Sequence, residues 1–297
     1  MKKRRNNRKA IEPYVYLFPA VILVFIFVII PILIGVKTSF YNYKLNDINK
    51  YFNGLANYKE ILKEPILYKS LWNSFKWVVG SLFFQVILGL ALALCLNKSF
   101  KGRGIYQAIV LAPWAVSGFL IGLIWKWLFN GQYGLINDLL IKMKIMTNPI
   151  SFISQENTAL LSTIIANIWY GIPFFAIMIL AALQSVPQDM YEAAEIDGAT
   201  TIKKFFSITL PYIKPTLIVT IMLRVIWIFN FADIIYTMTN GGPANSSETL
   251  ATYVIFKAYT ALDFGQASAI GVIFMIILFL YVGIYLWATK YEEVGDF

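Results

Sequence analysis

Histidine is absent from this 297-residue chain, and cysteine occurs once, as Cys95. Without histidine there is no H-E-x-x-H metal site, no Ser-His-Asp triad and no histidine proton relay. A single cysteine closes no internal disulfide and holds no zinc by itself. No G-x-x-x-x-G-K-[ST] phosphate loop occurs. Gly102 and Gly104 sit in a basic turn that lacks the lysine-serine pair, so the chain is not expected to hydrolyse nucleotide alone. Charge is scarce too, at 14% of residues. No enzyme, metal site or cofactor site can be assembled from these residues.

What remains is apolar. Hydrophobic residues make up 59% of the chain and aromatic ones 16%, which places it in the membrane class. A helix crosses a bilayer with about 20 apolar residues, because every backbone amide must be satisfied internally in lipid. Six such runs are read, roughly 14–36, 71–96, 105–129, 158–184, 212–238 and 267–289, the third and fifth interrupted by Lys126 and Arg224. The expected fold is all-α: a polytopic membrane protein with six transmembrane helices over 14–289, a basic N-terminus over 1–13 and a tail over 290–297. The first run is longer than a signal-peptide core and lacks a small-residue cleavage site, so no cleavable signal is expected. Cys95 falls in the second run and reads as a small packing residue.

Basic residues near short loops set orientation. Lys2, Lys3, Arg4, Arg5, Arg8 and Lys9 crowd the N-terminus, and Lys98, Lys101 and Arg103 the second short loop. Both belong inside the cell, so both termini are expected in the cytoplasm of a cell-membrane protein. The net charge of +9 is then a matter of topology and anionic lipid headgroups, and with no soluble domain to carry it, no nucleic-acid partner is expected.

A polar island at 191–211 separates the fourth and fifth runs. Pro187 suits the first position of a short helix. Met190, Ala193 and Ala194 share a face at helical spacing. Gly198 suits a left-handed stop, and Thr200 or Thr201 suits the cap of a second helix with Ile202, Phe205, Phe206 and Thr209 on one side. A compact amphipathic knob on the cytoplasmic side of such a chain is a docking device.

Polar groups inside spans are costly and mark a pathway. The fourth run holds Asn167, Trp169, Tyr170, Gly171 and Pro173; the fifth holds Arg224, Trp227, Asn230, Asp233 and Tyr236. Trp227, Asn230 and Asp233 follow at i, i+3, i+6, near one stripe of a helix, which suits a sugar: aromatic faces cover C–H surfaces and polar groups pair with hydroxyls. Helix packing is the alternative for Tyr170 and Trp227. A lock onto another subunit is the alternative for Asp233, and an inter-subunit ion pair or a headgroup contact the alternative for Arg224. The outer stretches 37–70 and 239–265 are read as surface loops whose aromatics meet a partner.

Glu192-Ala193-Ala194-x-x-Asp197-Gly198-Ala199, followed by Phe205, Ile208 and Leu210-Pro211, resembles the EAA loop of ABC-importer permeases. Thr239-Asn240-Gly241-Gly242-Pro243, with Tyr253 and Asp263-Phe264-Gly265, looks like the binding-protein-dependent carbohydrate permeases of the maltose and glycerol-phosphate type. Leu17-Phe18-Pro19, Pro31, Pro113-Trp114 and Trp125-Lys126-Trp127 fit the same pattern, and the first permease of the pair is favoured. The resemblance implies a second permease subunit, two ABC ATPase subunits, and an extracellular or periplasmic binding protein that delivers a sugar. It implies ATPase contact at Glu192, Ala193, Ala194, Asp197, Gly198 and Ala199, within coupling helices over 185–211. It also implies that Tyr170, Gly171 and Phe174 line the sugar path; around 228–233 the chain departs from the maltose-type pattern, and Asn230 and Asp233 rest on position and polarity. Glycerol phosphate or another polar solute, and an ion-coupled transporter from a different class, are the competing readings.

Overall fold

The computed structural model describes residues 7–47 and 49–289, with side chains described from Tyr14 onward. The basic residues at 1–6 and the tail 290–297 lie outside the described residues.

Helices dominate. Those long and apolar enough to cross a membrane are Tyr14–Thr38, Pro65–Asn97, Glu156–Gln184, Thr201–Met238 and Phe264–Thr289. A sixth candidate is a broken pair, Arg103–Ala115 and Gly118–Leu128, bent by 95°. One continuous run over 105–129 is expected here from apolarity alone. The bend has a local cause, because Pro113 opens a tight 3-10 turn, Val116 is extended, and Ser117 Oγ caps the next helix by accepting the Leu120 amide at 3.4 Å.

The chain divides into two compact units. One comprises residues up to Lys63 together with Val254–Met275. Its first helix leaves its apolar side chains outward, as a lipid-facing or subunit-facing span does. After it, a two-stranded antiparallel ribbon pairs β1 (Tyr41–Asn42) with β2 (Tyr51–Phe52), Tyr41 opposite Phe52. Asn57 Nδ2 donates to the carbonyls of Ser39 and Tyr41 at 2.8 and 2.9 Å, and Lys44 pairs with Asp263 at 3.5 Å. The part of the 37–70 surface stretch that lies in this unit is therefore a folded module.

The other unit comprises Glu64–Tyr253 and the chain from Ile276. The Pro65–Asn97 and Glu156–Gln184 helices pack along one another and against the Thr201–Met238 segment. Trp77, Ile121, Phe129, Ile164, Ile228, Ile234 and Ile235 form one core; Ala93, Phe175, Ile179, Leu183 and Ile213 form a second. Cys95 is a correction: it is exposed on the outer side of its helix rather than packed.

The segment after Met238 is a second correction. Read as part of a surface loop, it instead buries Ser247, Glu248, Thr249, Leu250, Thr252 and Tyr253. Asn240, Gly241, Ala244 and Asn245 take positive φ, which lets the chain reverse tightly. The return is tied to the Pro65–Asn97 helix. Lys69 Nζ donates to Ala244 O at 2.7 Å, Asn73 Nδ2 to Glu248 O at 3.0 Å, and the Leu250 amide to Ser74 Oγ at 2.9 Å.

Candidate functional site: an aromatic cavity and a polar turn

The polar island folds as a helix, a turn and the start of the fifth span. Gln188–Ile196 is the helix, with Pro187 before it as the extended N-cap residue rather than at the first helical position. It ends in a Schellman motif: Gly198, at φ +72°, donates to Glu195 O at 3.0 Å, and Ala199 donates to Ala194 O at 2.8 Å. Thr200 is the cap, its Oγ1 accepting from the Lys203 amide at 3.3 Å. The second short helix of the sequence reading does not stand alone. Thr201–Lys204 runs through a π turn at Phe205–Thr209 into Leu210–Asn230.

The inward face of the Gln188–Ile196 helix is Tyr191 and Ala194, half-buried, with Tyr191 Oη bonded to Thr209 Oγ1 at 2.8 Å. Met190 and Ala193, expected on that face with Ala194, point outward. Glu192, Asp197 and Gly198 are exposed, Ala199 half-buried. Glu195 pairs with Lys204 at 2.6 Å, closing the turn. Around it Ile196, Ile202 and Phe206 are 89, 72 and 61% exposed. Apolar side chains that open to solvent beside a charged turn are what a docking surface presents.

Inside the spans lies a cavity of about 370 Å³ lined by Trp114, Tyr170, Arg224, Trp227, Ile228 and Phe231. The rings of Tyr170 and Phe231 stack at 5.2 Å, and Phe174 braces Trp227 at 5.1 Å and Trp114 at 6.0 Å. Gly171 makes room below it for the side chains of Gln85 and Arg224, which a Cβ there would run into. Arg224 is 3% exposed, so the headgroup contact weighed for it is ruled out by burial. Its Nε donates to Gln85 Oε1 at 2.8 Å, while Gln85 Nε2 donates to Asn167 O at 2.7 Å. Both side-chain atoms of Asn167 and Nη2 of Arg224 lack hydrogen-bond partners.

Of the expected sugar-path residues, Tyr170 and Trp227 reach the lining, and Gly171 and Phe174 support it. Asn230 and Asp233 do not reach it. The helix ends at Asn230, Phe231 leaves helical geometry at ψ 88°, and a new helix starts at Asp233, so an i+6 spacing no longer marks one stripe. Asn230 Nδ2 turns back to Ile226 O at 2.9 Å. Trp77 Nε1 donates to Ile228 O at 2.9 Å, one of the carbonyls freed by the break. Gln85 was missed as a site residue; a lone amide in the apolar run Leu82–Leu88 is the signal that finds it. Among the described residues, no group of three acidic or thiol side chains gathers to hold a metal.

Residues 85–290 match the family described as the binding-protein-dependent transport system inner membrane component. The chain belongs to that family. Like its relatives, this inner membrane component is a multi-pass permease rather than an enzyme, and membership sets aside the ion-coupled reading. A trehalose/maltose transport system permease protein of Thermococcus litoralis is 35% identical over 293 residues, covering 99% of this chain and 98% of that protein. A sulfoquinovosyl glycerol transport system permease protein of Agrobacterium fabrum is 35% identical over 278 residues, 93% of this chain and 90% of that one. Among solved structures, a bacterial ABC transporter involved in the import of the acidic polysaccharide alginate superposes with a TM-score of 0.81 at 24% identity, over 96% of this chain and 99% of that one. That likeness shows the permease fold.

Proposed function

We propose that this chain is one of two permease subunits of an ATP-driven importer, and that it passes a sugar or oligosaccharide delivered by an extracellular or periplasmic binding protein. The observation that carries the reading is the aromatic cavity, about 370 Å³, inside the spans of a permease of this family. Flat rings cover the C–H faces of a sugar, and the few polar atoms there are left for hydroxyls. One of two separate ATPase subunits docks on the Gln188–Lys204 turn, with Glu192, Ala193, Ala194, Asp197, Gly198 and Ala199 at the contact. The turn is then cytoplasmic, as are both termini, and 14–289 crosses the membrane six times with the broken Arg103–Leu128 pair as one crossing.

The experiment is ATPase stimulation of the purified complex, reconstituted in proteoliposomes, against a panel of binding protein–sugar pairs. A sugar-loaded binding protein raises hydrolysis severalfold and drives uptake that stops without ATP. Uptake that continues without ATP, or stimulation by no sugar at all, overturns the reading.

A further inference from the structure

The cavity lining carries one formal charge and nothing of opposite sign. Arg224 is buried within its span but lines the cavity; its Nε is used on Gln85 Oε1, and its Nη2 is buried beside Gly171 without a hydrogen-bond partner. Gln85 is itself fixed by its bond to Asn167 O, so it presents its carbonyl oxygen to the arginine and nothing further. The ion pairs among the described residues are Lys44–Asp263, Lys142–Asp138 and Lys204–Glu195, and none includes Arg224. The rings of Tyr170 and Phe174 lie 5.8 Å from its central carbon; they soften the charge but accept no ordinary hydrogen bond. Asp233, the acid of this region, is exposed and faces Gly118 across the helix break.

A sugar hydroxyl meeting the guanidinium from the cavity would satisfy a donor and leave the charge unbalanced. A carboxylate, sulfonate or phosphate does both, and its paired oxygens match the guanidinium fork. A charge kept inside a span without a counter-ion belongs to the transport path. We propose that the cargo is a saccharide bearing an anionic group, received by Arg224 while Trp114, Tyr170 and Trp227 cover the ring. This rests on the sugar reading above and deepens it. Gln85 is a positioning residue that holds the fork in line.

The test uses the complete importer with its binding protein in proteoliposomes. Maltose, trehalose and cellobiose are set against digalacturonate, trehalose 6-phosphate and a sulfoquinovose glycoside, and the winning cargo against its neutral or acidic counterpart. The best-stimulating sugar is acidic. Arg224→Gln raises the KM for it at least tenfold, and Arg224→Lys recovers part of that loss. Gln85→Glu places a carboxylate on the guanidinium and therefore lowers the ratio of acidic to neutral uptake at least tenfold. That selectivity is a change no purely structural role produces. A neutral best cargo overturns the proposal, as do variants that depress acidic and neutral uptake alike. If Arg224→Gln does not assemble, the Gln85→Glu selectivity decides. Silence across the whole panel removes the sugar reading first, and this one with it.

Discussion

Two glycines illustrate opposite constraints. At Gly171 the backbone is ordinary and the space is gone, because a methyl would meet Gln85 and Arg224. At Gly198 the space is open, with nothing within 4 Å, and the backbone is left-handed at φ +72°. Gly171→Ala is thus an overpacking change worth about 1–3 kcal/mol. It is expected to lower the unfolding temperature of the purified permease and to raise the KM for uptake; unchanged values for both would put Gln85 and Arg224 elsewhere. Gly198→Val costs about 1–2 kcal/mol in a left-handed turn, whereas Gly198→Asn is tolerated there. ATP hydrolysis measured alongside uptake should uncouple in the valine variant and not in the asparagine one. Equal uptake in both removes the turn from the coupling path. Both glycines stood out in the sequence, Gly171 beside Pro173 and Gly198 between two amphipathic stretches. The reason each must be glycine did not, since it depends on Gln85 and Arg224, 86 and 53 positions from Gly171 along the chain.

Elements that cross the membrane were legible because length and apolarity suffice to mark them. Elements that double back were not. The stretch Thr239–Tyr253 has the polar, glycine-rich composition of a surface loop, yet the hydroxyls of Thr239, Ser247, Thr249 and Thr252 are spent internally. Ser247 Oγ donates to Gly242 O at 2.7 Å, and Thr252 Oγ1 to Thr249 O at 3.0 Å. The same holds for the Asn230–Asp233 stripe, which presupposed one continuous helix where the chain makes two. Within the return, Glu248 is 4% exposed and burial pushes its carboxyl up to about 7. The hydroxyl of Tyr253, itself raised chiefly by burial and hydrogen-bonded to Glu64, lies close enough to feel it. A carboxyl whose folded value exceeds its unfolded one binds more protons when folded, so stability falls as pH rises between the two values. The expected loss is on the order of 3 kcal/mol between about pH 4.5 and 7. Thermal unfolding of the permease followed over that window should show the decline, and Glu248→Gln should flatten it. An unaltered slope in the glutamine variant would assign the pH dependence to another group.

At the scale of the molecule, the apolar side chains that open outward matter as much as those packed inside. Most of them lie on spans, where lipid or a second permease covers them. Ile196 lies off the spans, and Ile202 and Phe206 stand at the root of one, all three flanking a charged turn. Ile196→Asp with Phe206→Asp adds charge to an exposed surface, so the fold should be affected by no more than about 0.5 kcal/mol. Co-purification with the ATPase subunits should be lost while the permease pair still forms, and a complex that survives both substitutions would move the dock off this turn. The ATPase dock proposed for the island was suggested by a chain with no nucleotide site of its own. That the island's second half is the root of a span was not legible, because the π turn at Phe205–Thr209 joins two stretches whose polarity differs sharply.

That join makes the island and the cavity wall opposite ends of one rod. From Thr201 the helix runs through Phe205–Thr209 to Asn230, carrying Arg224 and Trp227 near its far end. At 1.5 Å per residue, Thr201 and Arg224 lie roughly 35 Å apart, so a tilt of about 10° at the turn sweeps the guanidinium through roughly 6 Å. A nudge too small to remodel the docking surface is thereby magnified into a shift on the scale of the cargo. The rod can give at Pro215 and at the π turn. Spin labels placed near Thr201 and near Trp227 should move in step during ATP turnover. Motion of the first without the second would locate the yield at Pro215 and take the leverage away.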